Sequence, residues 1–143
     1  MGVTMKQYRH DDPKLWPLIG PFIASREVVK ALGGPVFSDE HTTWWVATEG
    51  KEVIGWASVQ DAKDGYWLAS AWVVPDKRGD KIHVALADAR DKYLATLPPK
   101  TVKVCCRMAR WQNYADRGFH QDRVKGDWVY GSKLSSATTK ESK

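Results

Sequence analysis

The sequence predicts an α/β protein of the α+β kind, built on a mixed, mostly antiparallel sheet of six or seven strands flanked by helices. Three observations carry this. Apolar runs at Thr43–Thr48, Glu52–Gln60 and Tyr66–Val74 are joined by the short turns Glu49-Gly50-Lys51 and Asp61–Gly65, the pattern of consecutive antiparallel strands. After Gly79 the spacing of apolar residues becomes helical, and a strand pattern returns at Thr101–Arg107, which by the crossover rule lies parallel to the strand before the helix. The chain has 143 residues, 43% of them hydrophobic and 27% charged, enough for one domain with a true core.

In chain order, Val3–Arg9 alternates loosely and reads as a first strand. Asp11 or Asp12 can cap a helix with Pro13 in its first turn. Leu15, Leu18, Ile19 and Phe22 continue it as a stripe, which Pro17 and Pro21 are expected to break into short pieces. A second helix runs from Ser25-Arg26-Glu27 to Leu32 and stops at Gly33-Gly34-Pro35. Phe37–Thr43 is a polar connection to the first hairpin. Tyr66–Val74 is nearly continuous in apolar residues, as for a central strand buried on both faces.

The helix after Gly79 places Ile82, Ala85, Leu86, Ala89 and Tyr93 on one face and Asp80, Asp88, Arg90 and Asp91 elsewhere, and ends at Leu97-Pro98-Pro99. Met108–Arg117 is a short helix closed by Gly118. Phe119–Val124 and Asp127–Lys133 form a last hairpin around Lys125-Gly126. The domain is expected to span 1–134, with 135–143 a disordered polar tail.

Twenty-two Lys and Arg against seventeen Asp and Glu give a charge of +5, suited to an anionic ligand or nucleic acid. The two cysteines, Cys105 and Cys106, are adjacent. On a strand they point to opposite faces and make neither a disulfide nor a zinc pattern, so a reducing, cytoplasmic setting and no metal are expected. No stretch reads as a signal peptide or membrane span, so no membrane partner is expected. Eight tryptophans invite two readings. Trp44, Trp45, Trp67 and Trp128 suit core packing at least as well as stacking surfaces for nucleobases.

The stretch Ala71–Leu86 runs from strand through a proline and a charged turn into a helix, where backbone N–H groups and the helix dipole favour an anion. Within it lies Val73-Val74-Pro75-Asp76-Lys77-Arg78-Gly79. Further on lies Asn113-Tyr114-Ala115-Asp116-Arg117-Gly118-Phe119. The first looks like V-x-P-x-x-R-G, the second like Y-x-x-x-G-F, and a helix and a strand separate them. With the order of elements, they make nearly the whole chain resemble the GNAT superfamily of acyl-CoA-dependent N-acetyltransferases, with a divergent pyrophosphate-binding loop.

The resemblance implies a splayed pair of central parallel strands and acetyl-CoA as co-substrate. The acetyl group would pass to a primary amine by direct transfer in a ternary complex. The N–H groups of Arg78, Gly79, Asp80, Lys81 and Ile82 would meet the pyrophosphate, with Lys77 and Arg78 adding charge. Lys81 stands at the family's middle glycine and would be a side-chain phosphate ligand. His83 stands at its final Gly or Ala and would touch a phosphate or cover the first helical turn. Trp72, Val73 and Val74 would flank the thioester, with an N–H near Val73 polarising its carbonyl.

Tyr114 would be the general acid toward the thiolate or a ring packed under the cofactor, and Asn113 and Arg110 would reach the adenine ribose or a phosphate. No general base is singled out among Asp61, Asp64, His41 and Glu40; Ser70 would hold a water for that step, and His120 would be a cleft or surface residue. Trp16–Phe37 and Val124–Trp128 would form the acceptor side. The acceptor would be a small amine, a protein lysine or N-terminus, or a modified base in nucleic acid, and a homodimer is possible for such a chain. The alternative is a catalytically altered protein of this fold that binds protein or nucleic acid.

Overall fold

The computed structural model describes residues 2–32, 36–78 and 81–134. The sheet has seven strands in the order β1-β2-β3-β4-β5-β7-β6, and all recorded ladders are antiparallel except β4 with β5. The strands are β1 (Val3–Arg9), β2 (Thr42–Glu49), β3 (Glu52–Ala62), β4 (Gly65–Val73), β5 (Thr101–Arg107), β6 (His120–Lys125) and β7 (Trp128–Leu134). The helices are α1 (Leu15–Ile23), α2 (Arg26–Leu32), α3 (Ile82–Ala95) and α4 (Trp111–Ala115). The parallel ladder consists of Tyr66↔Val102 and Trp67↔Lys103, near the N-terminal ends of both strands.

The chain divides into two compact units, 1–60 with 69–90, and 61–68 with 91–143. In the first unit Tyr8, Leu15, Ile19, Val28, Trp44, Val46, Trp56 and Trp72 form one core cluster. Trp44 and Trp45 are both buried, so their role is packing and not the presentation of stacking surfaces. Ser38 ties this core to the loop before β2. Its hydroxyl lies 2.7 Å from His10 Nδ1 and accepts from Trp44 Nε1 at 3.0 Å, while Trp16 Nε1 donates to the His10 carbonyl. In the second unit Tyr66, Leu68, Leu94, Val102, Val104, Cys106, Phe119 and Val129 are buried.

Two helices differ from expectation. α1 runs unbroken through both prolines. Pro17 is its third residue, where an N–H has no intrahelical partner, and Pro21 forfeits one bond only. In α3 the buried residues are Ile82, Leu86, Arg90 and Leu94, spaced by four, whereas Ala85 is exposed and Ala89 and Tyr93 are half-buried. The sequence pattern puts Ala85, Ala89 and Tyr93 on the face of Ile82 and Leu86 and leaves Arg90 outside it. Long side chains spaced by four stack along one row of the helix, so that row holds the burying atoms and takes Arg90 with it. The stop at Gly33-Gly34-Pro35 and the tail 135–143 lie outside the described residues.

Candidate functional site

In the first unit the strand-to-helix junction is built from β4, a 3-10 turn at Pro75–Lys77 and the start of α3. Pro75 opens the turn with its fixed φ, and the Lys77 and Arg78 N–H groups fold back onto the Val74 and Pro75 carbonyls at 2.9 and 3.3 Å. The Val74 N–H donates to the Ile54 carbonyl at 3.0 Å. The Arg78 N–H, expected to meet the pyrophosphate, and the Val74 N–H, beside Val73, are therefore engaged within the protein. Gly79 and Asp80 lie outside the described residues.

Arg78 turns back over the strand it follows. Its Nε donates to the Val73 carbonyl at 2.8 Å, and its guanidinium lies 4.5 Å from the Trp72 ring centroid. That fixes the stem and leaves the terminal nitrogens for a further acceptor. Lys77 Nζ pairs with Glu49 Oε1 at 2.7 Å, and this hydrogen bond, followed by the lysine's charge, holds the Glu49 carboxyl below its ordinary range. The Lys77 charge thus has a carboxylate against it.

Lys81 is the one non-glycine residue with positive φ among those described, at 65°. Its carbonyl accepts the Ala85 N–H at 3.0 Å, so it is the cap residue of α3, and it is exposed. A lysine there breaks two local preferences. The left-handed backbone costs an L-residue about 1–2 kcal/mol, and the positive end of the dipole disfavours a cation. Behind it Ile82 is buried and His83 half-buried. Gly55 on β3 allows this packing, since a Cβ there would lie 3.1 Å from Ile82 Cγ2 and from the Trp72 carbonyl oxygen. Gly55 was not singled out in the sequence, although a glycine inside a strand pattern signals a close approach.

Ser70 faces Ser58, their hydroxyls 3.0 Å apart. Arg90 Nη1 donates to the carbonyls of both residues, at 3.1 Å to Ser58 and 3.4 Å to Ser70. Arg90 is 4% exposed, and its Nε has no partner. An always-charged guanidinium buried on backbone carbonyls is costly, and it holds the backbone around the predicted water site. The spacing of four from Ile82 and Leu86 was the signal for it.

In the second unit Tyr114 is half-buried on α4, edge-on to Phe119 with centroids 5.6 Å apart and planes at 85°. Its carbonyl accepts from the Arg117 and Phe119 N–H groups, and Gly118 at φ 96° makes the turn between them. No partner of the phenolic oxygen is recorded among the described residues. Asn113 and Arg110 are exposed nearby in sequence.

The base candidates of this unit are both bound to lysines. Asp61 pairs with Lys100 at 2.6 Å and Asp64 with Lys103 at 3.0 Å. The Lys103 hydrogen bond, then that of the Trp67 indole, draws Asp64 below its ordinary range, which makes it a weaker base. In the first unit His41 and Glu40 are exposed, 3.7 Å apart. His120 Nε2 and the Ser132 hydroxyl both turn to Asp122, at 3.0 and 2.7 Å, and lie 3.4 Å from each other; one ring nitrogen meets both partners, so Asp122 does not orient the imidazole from its far side as in a nucleophile–base relay. Burial pushes the Cys106 thiol up to about 11, so it is inert at neutral pH. Among the described residues no group of three His, Cys, Asp or Glu is placed to hold a metal, and no helix is long and apolar enough to cross a membrane.

No protein-family model and no curated protein sequence matches the chain. Solved structures do. ElaA from Escherichia coli matches with a TM-score of 0.74 at 15% identity, over 92% of this chain and 99% of that one. The ribosomal-protein-S18-alanine N-acetyltransferase from Escherichia coli matches at 0.70 and 13%, over 94% of both chains. An aminoglycoside 6'-N-acetyltransferase complexed with coenzyme A matches at 0.67 and 12%, over 92% of this chain and 96% of that one. The chain has the fold of these proteins, the GNAT fold.

Proposed function

We propose that this chain, which has the GNAT fold, is an acyl-CoA-dependent N-acyltransferase. In this reading it moves acetyl from acetyl-CoA to a primary amine by direct transfer in a ternary complex. The observation that carries the reading is Lys81. The position at which the resemblance calls for a glycine keeps a glycine's backbone, φ 65°, though a lysine occupies it. A chain that bears that strain at a helix N-terminus, with a cation on it, has a use for both the shape and the charge.

The donor set fits a coenzyme A pyrophosphate. The first turn of α3 presents the positive end of the helix dipole, carries no acidic residue, and has Lys81 and the terminal nitrogens of Arg78 to supply positive charge. Acetyl-CoA would supply the activated acyl group. Trp72, Val73 and Val74 would align the acyl arm along β4, and Arg78 holds the Val73 carbonyl so that the backbone there stays in one orientation. By the resemblance Tyr114, Asn113 and Arg110 serve the same co-substrate. The Tyr114 hydroxyl would donate the proton that the departing thiolate takes up. Ser70 would hold the water through which the amine loses its proton, its backbone fixed by Arg90.

A primary amine is the acceptor class, since the solved structures of this fold include enzymes that by name act on a protein alanine and on aminoglycosides. Calorimetric titration with acetyl-CoA is the test, followed by thiol release with a panel of small amines and peptides. Micromolar affinity with turnover on at least one amine is expected. Absence of heat at about 1 mM ligand, the upper end of the usual range of enzyme KM values, sinks the reading. Tyr114→Phe should lower kcat by about a hundredfold with the affinity for acetyl-CoA unchanged.

A further inference from the structure

The charge of the chain is unevenly placed. Ten Lys and Arg balance ten Asp and Glu in the first unit, whereas the second holds twelve against seven, and with them the whole excess of +5. Part of that excess lies on one face of the second unit's strands. The ladders place Lys103 opposite Ser132, Cys105 opposite Tyr130 and Arg107 opposite Trp128, then Arg123 opposite Tyr130 and Lys125 opposite Trp128, with Trp67 beside Lys103. The alternate residues Val102, Val104, Cys106, Val129 and Gly131 face the other way and are buried. α4 lies on that buried side, where Trp111 closes on Gly131.

The outward face is thus a row of cations set on aromatic rings. Arg107 lies 4.5 Å from the centroid of Trp128, Arg123 4.5 Å from Tyr130 and Lys103 5.6 Å from Trp67. A guanidinium over a ring has N–H groups at its edge that can meet a phosphate, and the ring contact already restricts its side chain. Trp128 and Tyr130 are two residues apart, so stacking positions recur about every 7 Å along β7. Three carboxylates lie on this face: Asp64 and Asp127 pair with Lys103 and Arg107 through exposed contacts, which are weak, and Asp122 is held by Ser132 and His120, while no carboxylate is recorded against Arg123 or Lys125 among the described residues.

We infer that this face binds single-stranded nucleic acid, with bases stacked on the ring-held cations and phosphates neutralised by Lys103, Arg107, Arg123 and Lys125. Aromatic platforms with interleaved cations take single strands without much regard to sequence, because every base has a π-face. None of these residues belongs to the strand-to-helix junction, and the inference stands whether or not the chain transfers acyl groups.

The test is fluorescence anisotropy of a labelled single-stranded RNA dodecamer, titrated with the full chain in the absence of coenzyme A. Binding at micromolar concentrations is expected at about 25 mM NaCl, with a log–log salt slope near −3, as four neutralised phosphates give on a single strand. Arg123→Ala/Lys125→Ala should weaken it by at least about tenfold, as should Trp128→Ala, with circular dichroism and Tm checked for each. An unlabelled single strand should displace the probe far better than a duplex of equal length. Four results overturn the inference: no binding below about 100 µM at low salt, an unchanged affinity in the double variant, equal competition by a polyglutamate of the same charge, or a dimer through this face that excludes the probe.

Discussion

Lys81 and Arg90 are cations that each break a local rule, and each makes its own prediction. Lys81 bears a left-handed φ of 65° at the cap of α3. Lys81→Gly should relieve that strain and raise stability by about 1 kcal/mol, a Tm rise of roughly 3 °C by thermal circular dichroism. It should also weaken acetyl-CoA binding about fivefold by removing a cation. Lys81→Ala loses the same charge but keeps the strain, so only the glycine variant gains stability. A glycine variant less stable than wild type would show that the conformation is not borne at a cost. Arg90 puts a full charge under the sheet, held by the Ser58 and Ser70 carbonyls. Arg90→Ala removes the donor and the stem together and should cost about 3 kcal/mol, whereas Arg90→Met keeps the stem and should cost about 1. Urea unfolding distinguishes them, and a loss below about 1 kcal/mol for the alanine variant would mean the carbonyls do not depend on Arg90.

The elements themselves were legible where one period dominated. β1 and β5 have the expected limits, and the hairpin glycines Gly50 and Gly126 sit at φ 63° and 61° where tight turns were read. Pro17 and Pro21 misled because position within a helix, not the presence of proline, decides whether it breaks. Close approaches left no period to read, and Gly131 is one of them. A Cβ there would lie 2.5 Å from Trp111 Cη2 and 2.8 Å from the His120 carbonyl oxygen, so Gly131→Ala should cost about 2 kcal/mol. Adding Trp111→Leu should recover part of it, and additive losses in the double variant would place the strain elsewhere. The Glu49–Lys77 pair joins the end of β2 to the turn before α3. Its folded carboxyl is lowered from the ordinary 4.5, so its stabilisation is present above that pH and is lost as pH falls through the folded value. The Tm difference between wild type and Lys77→Met should therefore shrink from pH 5 to pH 3, in about the window where this carboxylate takes up its proton. A difference constant with pH would show that the pair does not couple to folding.

At the scale of the whole molecule, the order of elements was readable because strand, crossover helix and strand impose their own period and length. The chemistry was readable only where a motif fixed it. Arg78 and Tyr114 came from motifs, whereas Gly55, Arg90 and the cation–aromatic face came from contacts between distant positions. A ligand acts on this scale, because anything bound only by the folded chain stabilises all of it. At about a hundredfold excess over Kd, coenzyme A should add about 2.7 kcal/mol and raise Tm by several degrees. Coenzyme A and acetyl-CoA share the pyrophosphate and should give nearly equal shifts, while Arg78→Ala should reduce both together. A shift with acetyl-CoA alone would assign the binding energy to the acyl end and remove the phosphate role of the junction. In hydrogen exchange the protection should reach the amides of Lys81, Ile82 and His83, at the start of α3. Protection confined to the second unit, with none at 81–83, would move the ligand away from Lys81 and leave its left-handed backbone without the use proposed for it.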